Sequence, residues 1–126
     1  MILVTGASGI VGSQILQQLL NQGERVRILM RSDASLVIDR VLKDVNAGRD
    51  RIEWIQGDLL DPVSISKAVE GCSVVYHCAA LVSFDQKKAI DMQFVNVKGT
   101  ANIVDSCLKH KVDTLCYISS TAAIGD

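Results

Sequence analysis

No stretch of this chain is long and apolar enough to cross a membrane, and its first residues run straight into a short apolar segment. Neither a membrane span nor a signal peptide is expected. No sign of charge dominates: the formal net charge is −1, which gives no electrostatic footprint for nucleic acid or an anionic membrane surface. No C-x-x-C pair occurs among the four cysteines, Cys72, Cys78, Cys107 and Cys116, whose neighbours have strand-core and helix-core character. Packed, reduced thiols in a cytoplasmic protein are therefore expected, with no disulfide and no metal site. No internal repeat, low-complexity tract or linker divides the sequence, and 126 residues are the size of one domain with a real core.

What is present is organised around the first twelve residues, MILVTGASGIVG. Ile2, Leu3 and Val4 form an apolar run of the kind that becomes a strand buried on both faces. Gly6, Gly9 and Gly12 follow at G-x-x-G-x-x-G spacing, and Ile10 onward reads as a helix. A strand that turns through glycines into a helix makes an anion site. The turn exposes backbone N–H groups, the helix N-terminus adds partial positive charge, and missing side chains let a pyrophosphate come close. Thr5 and Ser8 are placed to add hydroxyl donors. Glycine spacing alone would also suit a plain tight turn, but the flanking strand and helix favour a nucleotide role.

Further along, the spacing predicts a helix over 10–21, with Val11, Ile15, Leu16 and Leu19 on one face and Gly23 as its left-handed terminator. A second buried strand spans Val26–Met30. Ser32 or Asp33 can cap the next helix, where Leu36, Val37, Val41 and Val45 recur at helical spacing before Asn46-Ala47-Gly48. A third strand over 51–56 leads into Gly57-Asp58-Leu59, and Pro62 opens a short helix to Glu70. A fourth strand covers 74–80. A long helix then carries Ile90, Phe94, Val97, Ala101, Val104 and Leu108 as one stripe, expected to be buried, with Lys109, His110 and Lys111 at its C-terminal end. Residues 114–119 form the fifth strand. This alternation argues for a parallel sheet with helices on both faces and a site beyond the carboxyl ends of the strands.

At this point the chain resembles the N-terminal part of the extended short-chain dehydrogenases/reductases, the group of nucleotide-sugar epimerases and dehydratases, dihydroflavonol reductases and 3β-hydroxysteroid dehydrogenases. The matching pieces are TGASGIVG at 5–12, GDLLD at 57–61, YHCAA at 76–80, NVKGT at 96–100 and YISSTAAIG at 117–125, in the family's order. The resemblance implies an α/β fold: a Rossmann-type doubly wound parallel sheet of five strands in the order 3-2-1-4-5, incomplete at the C-terminus. Residues 1–126 would form the NAD(P)-binding domain, with the substrate-binding region absent. Gly6, Gly9 and Gly12, with the Ser8-Gly9-Ile10-Val11 backbone, would hold the pyrophosphate. Asp58 would accept a hydrogen bond from the adenine amino group, with Leu59 against the ring. Ala79 and Ala80 would floor the ribose, and Asn96 would fix the backbone near the site.

Cofactor choice turns on the end of the second strand, Leu29-Met30-Arg31-Ser32. An acid there would hold the ribose hydroxyls of NAD, whereas an arginine accommodates the 2′-phosphate of NADP. Met30 stands at the acid's position and Arg31 follows, so NADP(H) is the preferred expectation. NAD(H) is the alternative, through the displaced Asp33. The family's catalytic hydroxyl, counted back from Gly125, matches Ser120, with Thr121 and Ser119 as neighbouring candidates. The family's Tyr-x-x-x-Lys pair is missing, because Ala80 follows Tyr76 and Thr121 follows Tyr117 at that spacing. His77 and His110 are expected to be structural, and Phe84 and Gln86 are placed near a nicotinamide or substrate by position alone.

The resulting expectation is the cofactor portion of an NAD(P)-dependent oxidoreductase or epimerase, inactive alone, moving hydride between nicotinamide and a hydroxyl or carbonyl substrate. Arg31 and the Ile124-Gly125 pair tilt it toward a reductase or hydroxysteroid-dehydrogenase-like member. The alternative is a non-catalytic NADP-sensing or scaffold domain, which the missing Tyr-Lys pair suits. A different nucleotide-binding sheet, such as a methyltransferase, leaves GDLLD and YISSTAAIG unexplained. An open sheet edge beside the fifth strand is expected to favour self-association into a homo-oligomer.

Overall fold

The computed structural model describes residues 1–78 and 86–118, with side chains described for 1–78 and 93–118. Within them, strands β1 (Ile2–Thr5), β2 (Val26–Met30), β3 (Ile52–Gln56), β4 (Val74–His77) and β5 (Thr114–Tyr117) alternate with helices α1 (Ile10–Asn21), α2 (Ser35–Leu42), α3 (Pro62–Val69) and α4 (Gln86–Lys109). All strand pairs are parallel, in the order β3-β2-β1-β4-β5. The doubly wound arrangement expected from the sequence is the one observed. Thr5 lies level with Leu29 on one side and His77 on the other, so three strand ends share one edge of the sheet.

Side chains on a strand alternate between faces, and here both faces are covered. Val4, Val26 and Ile28 pack with Leu16 and Leu20 of α1 and Val41 of α2, all buried. Leu3, Leu29 and Val75 pack on the opposite face with Ile65 and Val69 of α3 and Ile103 of α4. Each fully buried Leu, Ile or Val contributes roughly 1.5–3 kcal/mol relative to exposure.

The helix ends have local causes. Beyond α1, Gly23 adopts φ 83°, and the Glu24 N–H reaches the Leu19 carbonyl at 3.1 Å, closing the last turn. Before α3, the Asp61 carboxylate accepts the Val63 N–H at 3.1 Å while Pro62 fills the first helical position. The far end of α3 is held by Arg27 of β2, whose Nη1 donates to the Ala68 and Glu70 carbonyls at 2.8 and 2.6 Å. Its Nε also pairs with Glu53 across the strands at 3.2 Å.

Several expectations need correction. Helix α2 stops at Leu42 instead of continuing through Val45, and a 3-10 turn, Arg49–Arg51, leads into β3. Ala34 occupies the N-cap position of α2, but the Asp33 carboxylate accepts the Ser35 N–H at 2.8 Å and so does the capping from one residue outside. On α2 itself, Leu36 is exposed, and Ile38 joins Val41 in the core.

The largest correction concerns α4. Phe94, Val97, Ala101, Val104 and Leu108 face solvent, with Phe94, Val97 and Leu108 each 64% exposed or more. The buried positions are Gly99, Asn102, Ile103, Ser106 and Cys107, on the opposite side of the helix. Close approach decides this. A β-carbon on Gly99 would lie 3.1 Å from the Leu59 β-carbon, so α4 sits down on the β3–α3 loop with its small residues. Ile90 carries no described side chain.

Candidate functional site

The loops that follow β1, β2 and β3 converge at the carboxyl edge of the sheet, and α4 closes one side. They enclose a cavity of about 330 Å³. Of the residues singled out in the sequence, Gly6, Ser8 and Gly9 line it from the first loop and Arg31 from the second. Asp58 and Leu59 line it from the third, and Asn96 from α4. Ile10 and Val11 open α1 with exposed side chains outside the lining, and Gly12 is buried beneath the turn. Ala79, Ala80, Phe84, Ser119, Ser120 and Thr121 lie outside the described residues, as does the side chain of Gln86.

The glycine turn is built from two different constraints. Gly6 adopts φ 74°, a left-handed conformation costly for other L-residues, and its carbonyl accepts the Gly9 N–H at 3.0 Å. Gly12 has ordinary helical placement, but a β-carbon there would lie 2.0 Å from the Gly6 carbonyl oxygen. Only a glycine lets α1 begin this close to β1. Gly9 is the N-cap of α1, with no side-chain cap and no acidic residue in the first turn. The uncapped amides and the positive end of the helix dipole therefore face the cavity mouth without a resident anion.

The third loop is tightly braced. The Gly57 N–H bonds the Met30 carbonyl at 3.0 Å, and the Ser64 hydroxyl accepts the Asp58 N–H at 3.0 Å. Asp58 Oδ1 accepts the Leu60 N–H at 2.9 Å, making an Asx-type turn, while the second carboxylate oxygen has no hydrogen bond among the described residues. Arg31 is exposed beside this loop, and its guanidinium has no ion-pair partner among the described residues. Asp33 is fully exposed and stands outside the lining. Its hydrogen bonds with Ser35 hold its carboxyl below the ordinary range.

Thr5 lines the cavity beside Gly6. Its hydroxyl is bonded to His77 Nδ1 at 2.7 Å and to the Cys78 N–H at 3.1 Å, because the parallel register sets it against the end of β4, so it also fastens strands. His77 and His110 are structural, as expected. His77 is buried in β4, and burial lowers its pKa to about 4, whereas His110 Nε2 pairs with the Ser66 hydroxyl at 2.8 Å.

Sequence reasoning passed over Val95, whose only signal was adjacency to Asn96, while Thr5, Ser32 and Cys78, named in the sequence for other reasons, also line the cavity. Burial, reinforced by Cys116, pushes the Cys78 thiol up, so it stays protonated near neutral pH. Among the described residues no group of His, Cys, Asp or Glu is arranged for a metal ion, and no helix is long and apolar enough to cross a membrane.

A doubly wound parallel sheet with an uncapped glycine turn at its switch point defines a nucleotide-binding protein of the Rossmann class. The family is narrower than the fold. Residues 3–126 match the 3-beta hydroxysteroid dehydrogenase/isomerase family, and the chain belongs to it, within the extended short-chain dehydrogenases/reductases. It is 35% identical over 124 residues to 3 beta-hydroxysteroid dehydrogenase type 7 of Mus musculus, covering 98% of this chain and 33% of that protein. It is 32% identical over 125 residues to dihydroflavonol 4-reductase of Dianthus caryophyllus, covering 98% and 34%.

Among solved structures, the UDP-glucose-4-epimerase of Stenotrophomonas maltophila with bound NAD superposes with a TM-score of 0.84 at 27% identity, over 99% of this chain and 38% of that one. A short-chain dehydrogenase/reductase superfamily protein of Agrobacterium tumefaciens with bound NAD gives 0.75 at 30% identity, over 95% and 32%. The chain thus spans about one third of the length of the curated relatives it matches.

Proposed function

We propose that residues 1–126 are the dinucleotide-holding domain of an NAD(P)-dependent oxidoreductase or epimerase that moves hydride between nicotinamide and a hydroxyl or carbonyl substrate. The observation that carries this reading is the cavity at the strand ends, with the glycine turn at one wall and the Asp58 turn at another. Gly6, Gly9 and the first amides of α1 would hold the pyrophosphate, and the unbonded Asp58 oxygen would take the adenine amino group. Asn96 would border the ribose. The dinucleotide supplies the hydride chemistry when bound. This chain's own residues bind and orient it, and Ser120 would polarise a substrate carbonyl. The NAD bound in the epimerase and in the Agrobacterium protein supports the cofactor class.

We infer a preference for NADP(H), with NAD(H) as the weaker ligand. Supporting this, Arg31 lines the cavity without an ion-pair partner among the described residues, while Asp33 is engaged at the start of α2. Titration of the chain with NADPH and NADH by calorimetry tests both points. Tighter NADPH binding that Arg31→Ala abolishes supports the reading. Preference for NADH overturns the Arg31 argument, and binding of neither overturns the dinucleotide role.

A further inference from the structure

Two buried polar links converge on α4, and each runs from it to a residue that lines the cavity, Thr5 in the first and Leu59 in the second. In the first, the His77 imidazole joins β1 to α4: Nδ1 pairs with the Thr5 hydroxyl at 2.7 Å and Nε2 with the Thr100 hydroxyl at 3.2 Å. Thr5 immediately precedes Gly6, and its hydroxyl also holds the Cys78 amide at 3.1 Å. In the second, Asn102 Nδ2 donates to the Leu59 carbonyl at 2.7 Å, where Gly99 brings the helix against Leu59. His77 is 2% exposed and Asn102 is 6% exposed. The His77 ring also stacks on Tyr117 of β5, with centroids 5.6 Å apart.

Both links end in a wall of the cavity. The first ends at the residue before the glycine turn, and the second at Leu59, beside Asp58. Thr100 lies one helical turn after Asn96, which lines the cavity itself. Apolar residues would fill the same space, but a satisfied polar link fixes one arrangement where apolar contacts tolerate several. A neutral imidazole carries one N–H, so one threonine accepts from the ring while the other donates to it. The low proton affinity imposed by burial keeps the ring in that neutral form.

We propose that α4 sets the spacing between the glycine turn and the Asp58 turn, with His77 and Asn102 as positioning residues for the dinucleotide. The inference rests on the dinucleotide reading above. The pyrophosphate and adenine ends of one ligand must be met at once, and α4 is the element bonded to both supports. Losing one link leaves each half-site intact but lets their separation drift.

The test compares NADH and AMP binding with thermal stability in the full chain for His77→Leu, His77→Asn, Thr100→Val and Asn102→Leu. Ile103→Val serves as a core control that touches neither link. Thr100→Val is nearly isosteric and keeps the test valid if His77→Leu does not fold. The expected result is about a tenfold loss of NADH affinity in Thr100→Val, His77→Leu and Asn102→Leu, with a smaller loss for AMP in the first two. His77→Asn, which keeps a nitrogen facing Thr5, recovers part of the loss. NADH losses that simply track melting temperature, with Ile103→Val on the same line and no recovery by Asn, overturn the inference alone. Absence of binding of both NADPH and NADH by the unaltered chain overturns the dinucleotide reading and this inference with it.

Discussion

Replacing each glycine of the first loop with alanine separates three physical roles. At Gly12 the new methyl would lie 2.0 Å from the Gly6 carbonyl oxygen and 2.7 Å from its carbon. Ordinary contact begins near 3.4 Å, so the N-terminus of α1 must retreat by roughly 1.4 Å from rigid backbone. Overpacking of this kind costs about 1–3 kcal/mol or more, and the better helix propensity of alanine returns about 1 kcal/mol. A net loss of about 2 kcal/mol is expected for Gly12→Ala, lowering the melting temperature by roughly 8 °C in a chain of this size.

At Gly6, with φ 74°, the cost is left-handed strain of about 1–2 kcal/mol. At Gly9, φ −80° and ψ 171° suit any residue, and the methyl would meet the Gly6 oxygen at an ordinary 3.4 Å. Gly9→Ala is therefore expected to hold stability within about 0.5 kcal/mol while weakening NADH by about tenfold or more, since its methyl enters the cavity mouth. Circular-dichroism melts and calorimetric titration on the three variants read both quantities. Gly12→Ala melting like the unaltered chain, or Gly9→Ala losing as much stability as Gly12→Ala, would refute the reasoning.

The remaining predictions rest on single contacts. His77 titrates at about 4 in the fold against an ordinary 6.5, so unfolding between those values takes up a proton. Its contribution is flat above about pH 7 and is lost as pH falls toward 4, by about 3 kcal/mol in all; urea titrations should show a shallower pH slope in His77→Gln. Asp61→Ala removes the cap of α3 and is expected to cost about 1 kcal/mol, seen as a fall of roughly 4 °C in melting temperature. Arg27→Lys cannot reproduce the fork that reaches the Ala68 and Glu70 carbonyls and Glu53, and should cost about 1–2 kcal/mol in a urea melt. Among the described residues β5 has no strand on its outer side, so concentration-dependent self-association is expected in size-exclusion chromatography. A clean monomer at high concentration would count against it.

Much of the fold was legible because its signals are local. Apolar runs between glycines and caps place the strands, and the first loop declares itself through spacing on twelve consecutive residues. Asp33 caps α2 by the same short-range chemistry, as does Pro62 in opening α3, although the termination of α2 at Leu42 did not follow from it. The buried face of α4 was illegible for a physical reason: hydrophobic periodicity reports large apolar side chains, whereas around Ile103 this helix packs through Gly99, Asn102, Ser106 and Cys107, which are small or polar. The Thr5–His77–Thr100 link was equally silent, because its ends lie 72 and 23 positions from the histidine and nothing in the local pattern joins them. At the cavity, Arg31, Asp58 and Asn96 were found by resemblance, while Cys78 and Val95 needed the three-dimensional convergence of loops.

The inverted packing of α4 also bears on how this segment tolerates change. A substitution scan of residues 93–109 should run against the usual hydrophobicity ranking. Polar replacements at Phe94, Val97 and Leu108 should be borne lightly within these contacts, as should shorter side chains there. Intolerance should concentrate at the buried Gly99, Asn102, Ser106 and Cys107 around Ile103, with Gly99 the tightest because a β-carbon there meets Leu59. Ile103 apart, the restrictive positions of this helix are small or polar ones, and its exposed oily residues are the freest to vary.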